Sequence, residues 1–161
     1  MMLCRGTPKG EDIKIEGGVT AYLAKASSPT SAAVIIAPDL FGIWQNSKLI
    51  ADEFASRGYT TLIPDLFNGD QLQPDTDLSK FDIPTWFAQG SDGNNPHGPE
   101  QVDVPVVAAV KHLRGLGYKK IGGVGYCIGA KVSLPRHALQ ICTYMKTHCS
   151  RHSVYRSSHE G

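Results

Sequence analysis

IGGVGYCIGAK, residues 121–131, decides the fold. Its first half reads as a short apolar strand over Lys120–Tyr126, weakened by Gly122 and Gly123. Its second half, Gly125-Tyr126-Cys127-Ile128-Gly129, is a G-x-C-x-G turn, the cysteine form of the strand-to-helix corner that exposes a nucleophile. Such a corner holds its central residue in a strained backbone conformation, and side chains two residues before or after it would collide. Both glycines therefore have a steric reason to be there. The nucleophile would project from the top of a sheet. The backbone N–H of the next residue and the start of the new helix would face the same spot and favour negative charge. The bland alternative is a buried cysteine at a tight turn.

Outward from this corner the chain alternates strands and helices. Ala32–Ala37 (AAVIIA) is a continuous apolar run between Ser31 and Pro38, the pattern of a strand covered on both faces. Asn46–Arg57 reads as a helix with Leu49, Ile50 and Phe54 as its apolar set, a cap at Asn46 or Ser47, and Gly58 as its stop. Tyr59–Ile63 is a second covered strand, ended by Pro64-Asp65. Asp103–Leu116 has Val106, Val107, Val110 and Leu113 at helical spacing, with Pro105 early and Gly117 after it. Farther upstream, Asp12–Ile15 and Val19–Leu23 alternate around Gly17-Gly18 as a hairpin.

This order predicts an α/β fold: a mostly parallel sheet with helices on both faces and ligands at the carboxyl ends of its strands. The loops 38–44, 64–69 and 126–130 belong at that end. Residues 66–99, rich in Asp, Asn, Gly and Pro, form a long loop with a short helix near Pro84–Ala88.

Composition narrows the function classes. The 161 residues carry 16 basic and 15 acidic side chains, net +1, so no general attraction to nucleic acid is expected. No apolar run approaches the length of a membrane span, and the N-terminus MMLCRGTPKGED lacks the apolar stretch of an export signal. The expected compartment is a reducing, cytoplasmic one, with Cys4, Cys127, Cys142 and Cys149 as free thiols. The charge is uneven. Residues 1–132 hold 12 basic against 14 acidic residues, whereas 133–161 hold four basic residues and only Glu160.

Three segments, VIIAPDLFGIW (34–44), ADEFASRGYTTLIPDLFNGD (51–70) and IGGVGYCIGAK (121–131), together resemble the dienelactone hydrolase family of the α/β-hydrolase superfamily, in its fungal form. The resemblance covers residues from about 10 to 131. It implies a thiol-dependent hydrolase of small carboxylic esters or lactones that works through a Cys-His-Asp triad, with no cofactor and no metal. Cys127 takes the place of the nucleophile, and the backbone N–H groups of Leu40 and Ile128 that of the oxyanion hole. Asp39 falls where bacterial members carry a glutamate that touches the resting thiol; capping of its own loop is the equal alternative. Bacterial members also hold a substrate carboxylate through an arginine in the region of the long loop, where 66–99 has only Lys80. Phe41, Trp44, Trp86 and Phe87 are candidates for an apolar substrate pocket, with ordinary core packing as the alternative for each.

The likeness ends at Ala130-Lys131. Residues 132–161 read as an unrelated, disordered tail, and Val132-Ser133 is what a splice donor read in frame encodes, so intron read-through is the expectation. No residue of the tail matches the acid or the histidine of the triad. His137, His148, His152 and His159 lie there without a scaffold around them, and His148, Cys149 and His152 lack the spacing of a zinc module. Two readings follow from the sequence: a hydrolase by ancestry, or a catalytically inactive fragment or binding remnant. Substrate identity and oligomeric state are not encoded in any motif.

Overall fold

The structure, a computed structural model, describes residues 6–131. The tail assigned to 132–161, with its histidines and with Cys142 and Cys149, lies outside the described residues, as does Cys4.

Among the described residues five strands form one sheet: β1 (Glu11–Lys14), β2 (Thr20–Ala24), β3 (Ala32–Ala37), β4 (Thr60–Pro64) and β5 (Lys120–Gly125). The helices among the described residues are α1 (Gln45–Ser56) and α3 (Pro99–Gly115), which flank the sheet, and the short α2 (Ile83–Gln89) of the long loop. The strand order is β1-β2-β4-β3-β5. β4, β3 and β5 run parallel, as the apolar runs predict, while β1 and β2 pair antiparallel and β2 joins β4 antiparallel. The sheet is thus mixed. The N-terminal hairpin docks onto β4 and extends the sheet, so Tyr22 and Leu23 on opposite faces of β2 are both buried.

Each face has its own apolar layer. On one side Ala51 and Ala55 of α1, one turn apart, pack with Tyr22, Ala24, Ile36 and Ile63. On the other, Val102, Val106, Ala109 and Leu113 of α3 cover Ala21, Leu23, Ile35 and Leu62. Helices on both faces follow from strands with no polar side, since β4 is buried along its whole length.

Two helix starts differ from the sequence reading. The residue flanking α1 is Trp44, not Asn46 or Ser47. Ser47 instead acts from inside the first turn: its hydroxyl accepts from the Trp44 N–H at 3.0 Å and donates to the Gly42 carbonyl at 2.8 Å. α3 starts at Pro99, four residues before Asp103, because Pro99 suits a first helical position and Glu100 and Gln101 form a solvated first turn that carries no apolar signal. Pro105 is consequently inside the helix.

A partly buried polar knot fixes the hairpin to α1. The Tyr22 hydroxyl donates to Asp52 Oδ1 at 2.7 Å and accepts the Gly10 N–H at 2.6 Å, and Asp52 Oδ2 accepts the Lys9 N–H at 2.7 Å. Burial, then the Asp52 carboxylate, pushes the Tyr22 phenol from 10.0 up to about 12. A folded value above the unfolded one stabilises the fold below pH 10.0, and that contribution is lost as pH rises through about 12. Tyr22→Phe strands the Gly10 N–H and one Asp52 oxygen. It is expected to cost about 1–2 kcal/mol in urea unfolding at neutral pH. The cost should shrink above pH 10.0, where the wild type loses the same contribution.

Candidate active site

β3 and β5 are neighbours in parallel register, with Ala37 opposite Gly125, so the loops that follow them leave the sheet side by side. The Tyr126 N–H donates to the Ala37 carbonyl at 3.0 Å and extends the ladder by one bond. The chain then turns. Cys127 has φ +53°, and a short 3₁₀ helix, Cys127–Lys131, starts there, with the Gly129 N–H closing on the Tyr126 carbonyl at 2.8 Å. Among non-glycine residues a left-handed φ is uncommon, and only Asn68 shares it among the described residues. Cys127 is exposed.

The two glycines are required by close approach of backbone. A Cβ at 125 would lie 2.6 Å from the Gly129 carbonyl carbon. A Cβ at 129 would lie 2.6 Å from both the Ala37 carbonyl carbon and the Pro38 oxygen. The elbow is therefore wedged against the end of β3, with no room for a methyl group on either side of the cysteine.

The loop after β3 is braced from several directions. Leu40 is buried, and its carbonyl accepts the Leu72 N–H at 2.9 Å. Among the described residues its own N–H has no hydrogen-bond acceptor. The Ile128 N–H lies in the first turn of the helix after the elbow, where amides have no acceptor within the helix. Asp39 is half-buried. Its Oδ1 accepts the Phe41 N–H at 3.0 Å, and the Trp44 side chain bonds to it as well. Burial pushes its carboxyl above 3.8, and those two hydrogen bonds only partly oppose the shift. These contacts are those of a loop cap. Asp65 braces the next loop in the same way, accepting the Phe67 and Gly69 N–H groups at 2.9 and 2.7 Å.

Trp44 is half-exposed and stands edge-on to Phe41, ring centres 5.4 Å apart. Both belong to the loop beside the elbow. Trp86 does not face an open site. It is 2% exposed, enclosed by the rings of Phe67, Phe81, Phe87 and His97, and takes the core-packing alternative. His97, which the sequence leaves as an unremarkable loop residue, is also buried, with Nε2 2.8 Å from Asp70 Oδ2. Asp70 is pushed up by burial, but hydrogen bonds from Ser91 and His97 outweigh this and hold it below 3.8. The pair clasps the long loop, and its 27-residue separation gives no sequence signal. His112 lies near the carboxyl end of α3, just before β5 begins, at the opposite end of the sheet from Cys127.

The sequence profile of the dienelactone hydrolase family matches residues 19–150. The chain belongs to that family. The match runs past Lys131, where the sequence reading ended the resemblance. Among curated relatives, "Hydrolase pyvD" of Aspergillus violaceofuscus is 41% identical over 132 residues, covering 80% of this chain and 50% of the relative. The human "Carboxymethylenebutenolidase homolog" is 34% identical over 124 residues, covering 74% of this chain and 46% of the relative. This member of the dienelactone hydrolase family thus spans about half the length of the curated relatives it matches. The crystal structure of a dienelactone hydrolase from Anabaena variabilis superposes with a TM-score of 0.60 at 14% identity, covering 84% of this chain and 62% of that one, and shows the shared α/β-hydrolase-like fold. No helix among the described residues is long and apolar enough to cross a membrane.

Proposed function

We propose that Cys127 is the acyl-accepting nucleophile of a thiol-dependent hydrolase of small carboxylic esters or lactones. The observation that carries this reading is the left-handed φ of an exposed cysteine locked between two glycines at the carboxyl end of β5. Strain of this kind persists only where the surroundings impose it, and it aims the sulfur away from the sheet.

The reaction follows from that placement. Sγ, as thiolate, attacks the carbonyl carbon, and the carbonyl electrons move onto oxygen, where the Leu40 and Ile128 N–H groups would receive the charge. The C–O bond to the alcohol then breaks, leaving a thioester on Cys127; the departing alkoxide takes up the proton that the thiol gave. Water cleaves the thioester to the acid and restores the thiol. In a lactone the leaving alcohol stays tethered to the acid. Asp39, on the adjoining loop, is the proposed contact of the resting thiol, and the Phe41–Trp44 pair the proposed apolar wall.

Acylation and turnover make different demands. The proposed nucleophile and the two amides proposed for the oxyanion hole belong to residues 6–131, where His97 is buried on Asp70 and His112 is at the far end of the sheet. The expected kinetic result with p-nitrophenyl acetate is an initial release of about one p-nitrophenol per chain. Cys127→Ala should remove the initial release. Equal, near-background traces for wild type and variant would instead support the reading of a catalytically inactive fragment.

A further inference from the structure

We propose that this site takes uncharged, apolar acyl substrates and discriminates against esters or lactones that carry a carboxylate. The inference rests on the proposed hydrolase reading for its choice of site, and on charge placement for its content.

Three loops meet at the carboxyl end of the parallel strands: 38–44 after β3, 64–72 after β4 and 126–130 after β5. Their sequences, PDLFGIW, PDLFNGDQL and YCIGA, contain three carboxylates and no lysine or arginine, and the first basic residue after the elbow is Lys131, at the end of the short helix that Cys127 starts. Asp39 is on the loop neighbouring the elbow and Asp65 one strand farther, which puts their loops about 5 and 10 Å across the sheet from that of Cys127. Neither is neutralised by a basic side chain among the described residues. Asp39 is held by the Phe41 N–H and the Trp44 side chain, and Asp65 by the Phe67 and Gly69 N–H groups. The third, Asp70, meets His97. Lys80, the single basic residue of the long loop, is solvent-exposed and pairs with Asp77 at 3.2 Å. The side chains on offer beside the elbow are instead the half-buried Phe41, Trp44 and Ile128. Among the described side chains, a substrate carboxylate here would meet like charge and apolar surface. A neutral acyl group would meet only the latter.

Thiol alkylation reads this selection without needing turnover. In each reaction the Cys127 thiolate displaces iodide from carbon; only the charge of the reagent differs. Rates for neutral iodoacetamide and anionic iodoacetate are measured at Cys127 in the full chain by peptide mapping and divided by the same ratio for a small uncharged thiol. At about 10 mM salt the normalised preference for the neutral reagent is expected to be about fivefold. In 1 M salt, where the screening length falls to about 3 Å, it should collapse toward one. Asp65→Asn, which also frees one of the two braced N–H groups, should lower the normalised preference about twofold, a ratio in which any general change in access to the thiol cancels. A normalised ratio of one or below at low salt would overturn the proposal and show that a cation, from Lys131 or beyond, governs the site. A flat ratio with an acyl adduct on Cys127 removes the substrate class alone. A skewed ratio with no adduct removes the hydrolase reading, and the substrate class with it.

Discussion

Gly129→Ala is expected to destabilise the protein by about 3 kcal/mol or more, lowering Tm by roughly 10 °C. The added methyl would be driven against the Ala37 carbonyl carbon and the Pro38 oxygen, each 2.6 Å from its position. Neither can give way cheaply. Ala37 is the last residue of β3, pairs with Gly125 and accepts the Tyr126 N–H, so shifting it breaks the β3–β5 ladder at the site. Against a typical total stability of about 5–15 kcal/mol, the loss is large for one methyl group. Thermal unfolding checks it. Gly17→Ala provides the contrast. A Cβ there meets nothing within 4 Å, and its positive φ leaves only backbone strain. That strain should cost about 1 kcal/mol.

The second large effect is on chemistry, and it runs opposite to stability. Cys127→Gly should abolish acyl transfer and thiol alkylation at this position while raising stability by about 1 kcal/mol. The φ of +53° costs any residue with a Cβ, and glycine adopts it freely. Little burial is lost, because Cys127 is exposed. Part of the gain is offset by the larger entropy of glycine in the unfolded chain. A cysteine kept there for packing would behave in the reverse way, and its replacement by glycine would destabilise. Urea unfolding of the two chains decides between these outcomes.

The parallel strands were legible because their chemistry is local. AAVIIA at 32–37 and the buried stretch before Pro64 announce themselves as covered strands, and the glycine spacing around Cys127 encodes the steric limit that the backbone imposes. Features made by contacts between distant residues were not legible. Periodicity does not say that the N-terminal hairpin would join β4 antiparallel, since pairing depends on which edge is open. The start of α1 was misplaced because Ser47 caps from within the first turn. The start of α3 was hidden by a polar first turn. Trp86 was ambiguous in sequence and His97 unremarkable, and the rings that enclose them, Phe67, Phe81 and Phe87 around Trp86 and Phe67 and Trp86 beside His97, meet only once the long loop has folded back on itself. The role proposed for Leu40 comes from the family resemblance, whereas the Leu72 N–H that fixes its carbonyl carries no signal in the sequence.

The central claim is that the Cys127 sulfur accepts an acyl group. Brief incubation of the full chain with p-nitrophenyl acetate, acid quench and peptide mass mapping test it most directly. The account predicts one acetyl group per chain, carried as a hydroxylamine-labile thioester on the peptide containing Cys127. Acetyl groups confined to lysines or to other cysteines, with Cys127 unmodified, would contradict it.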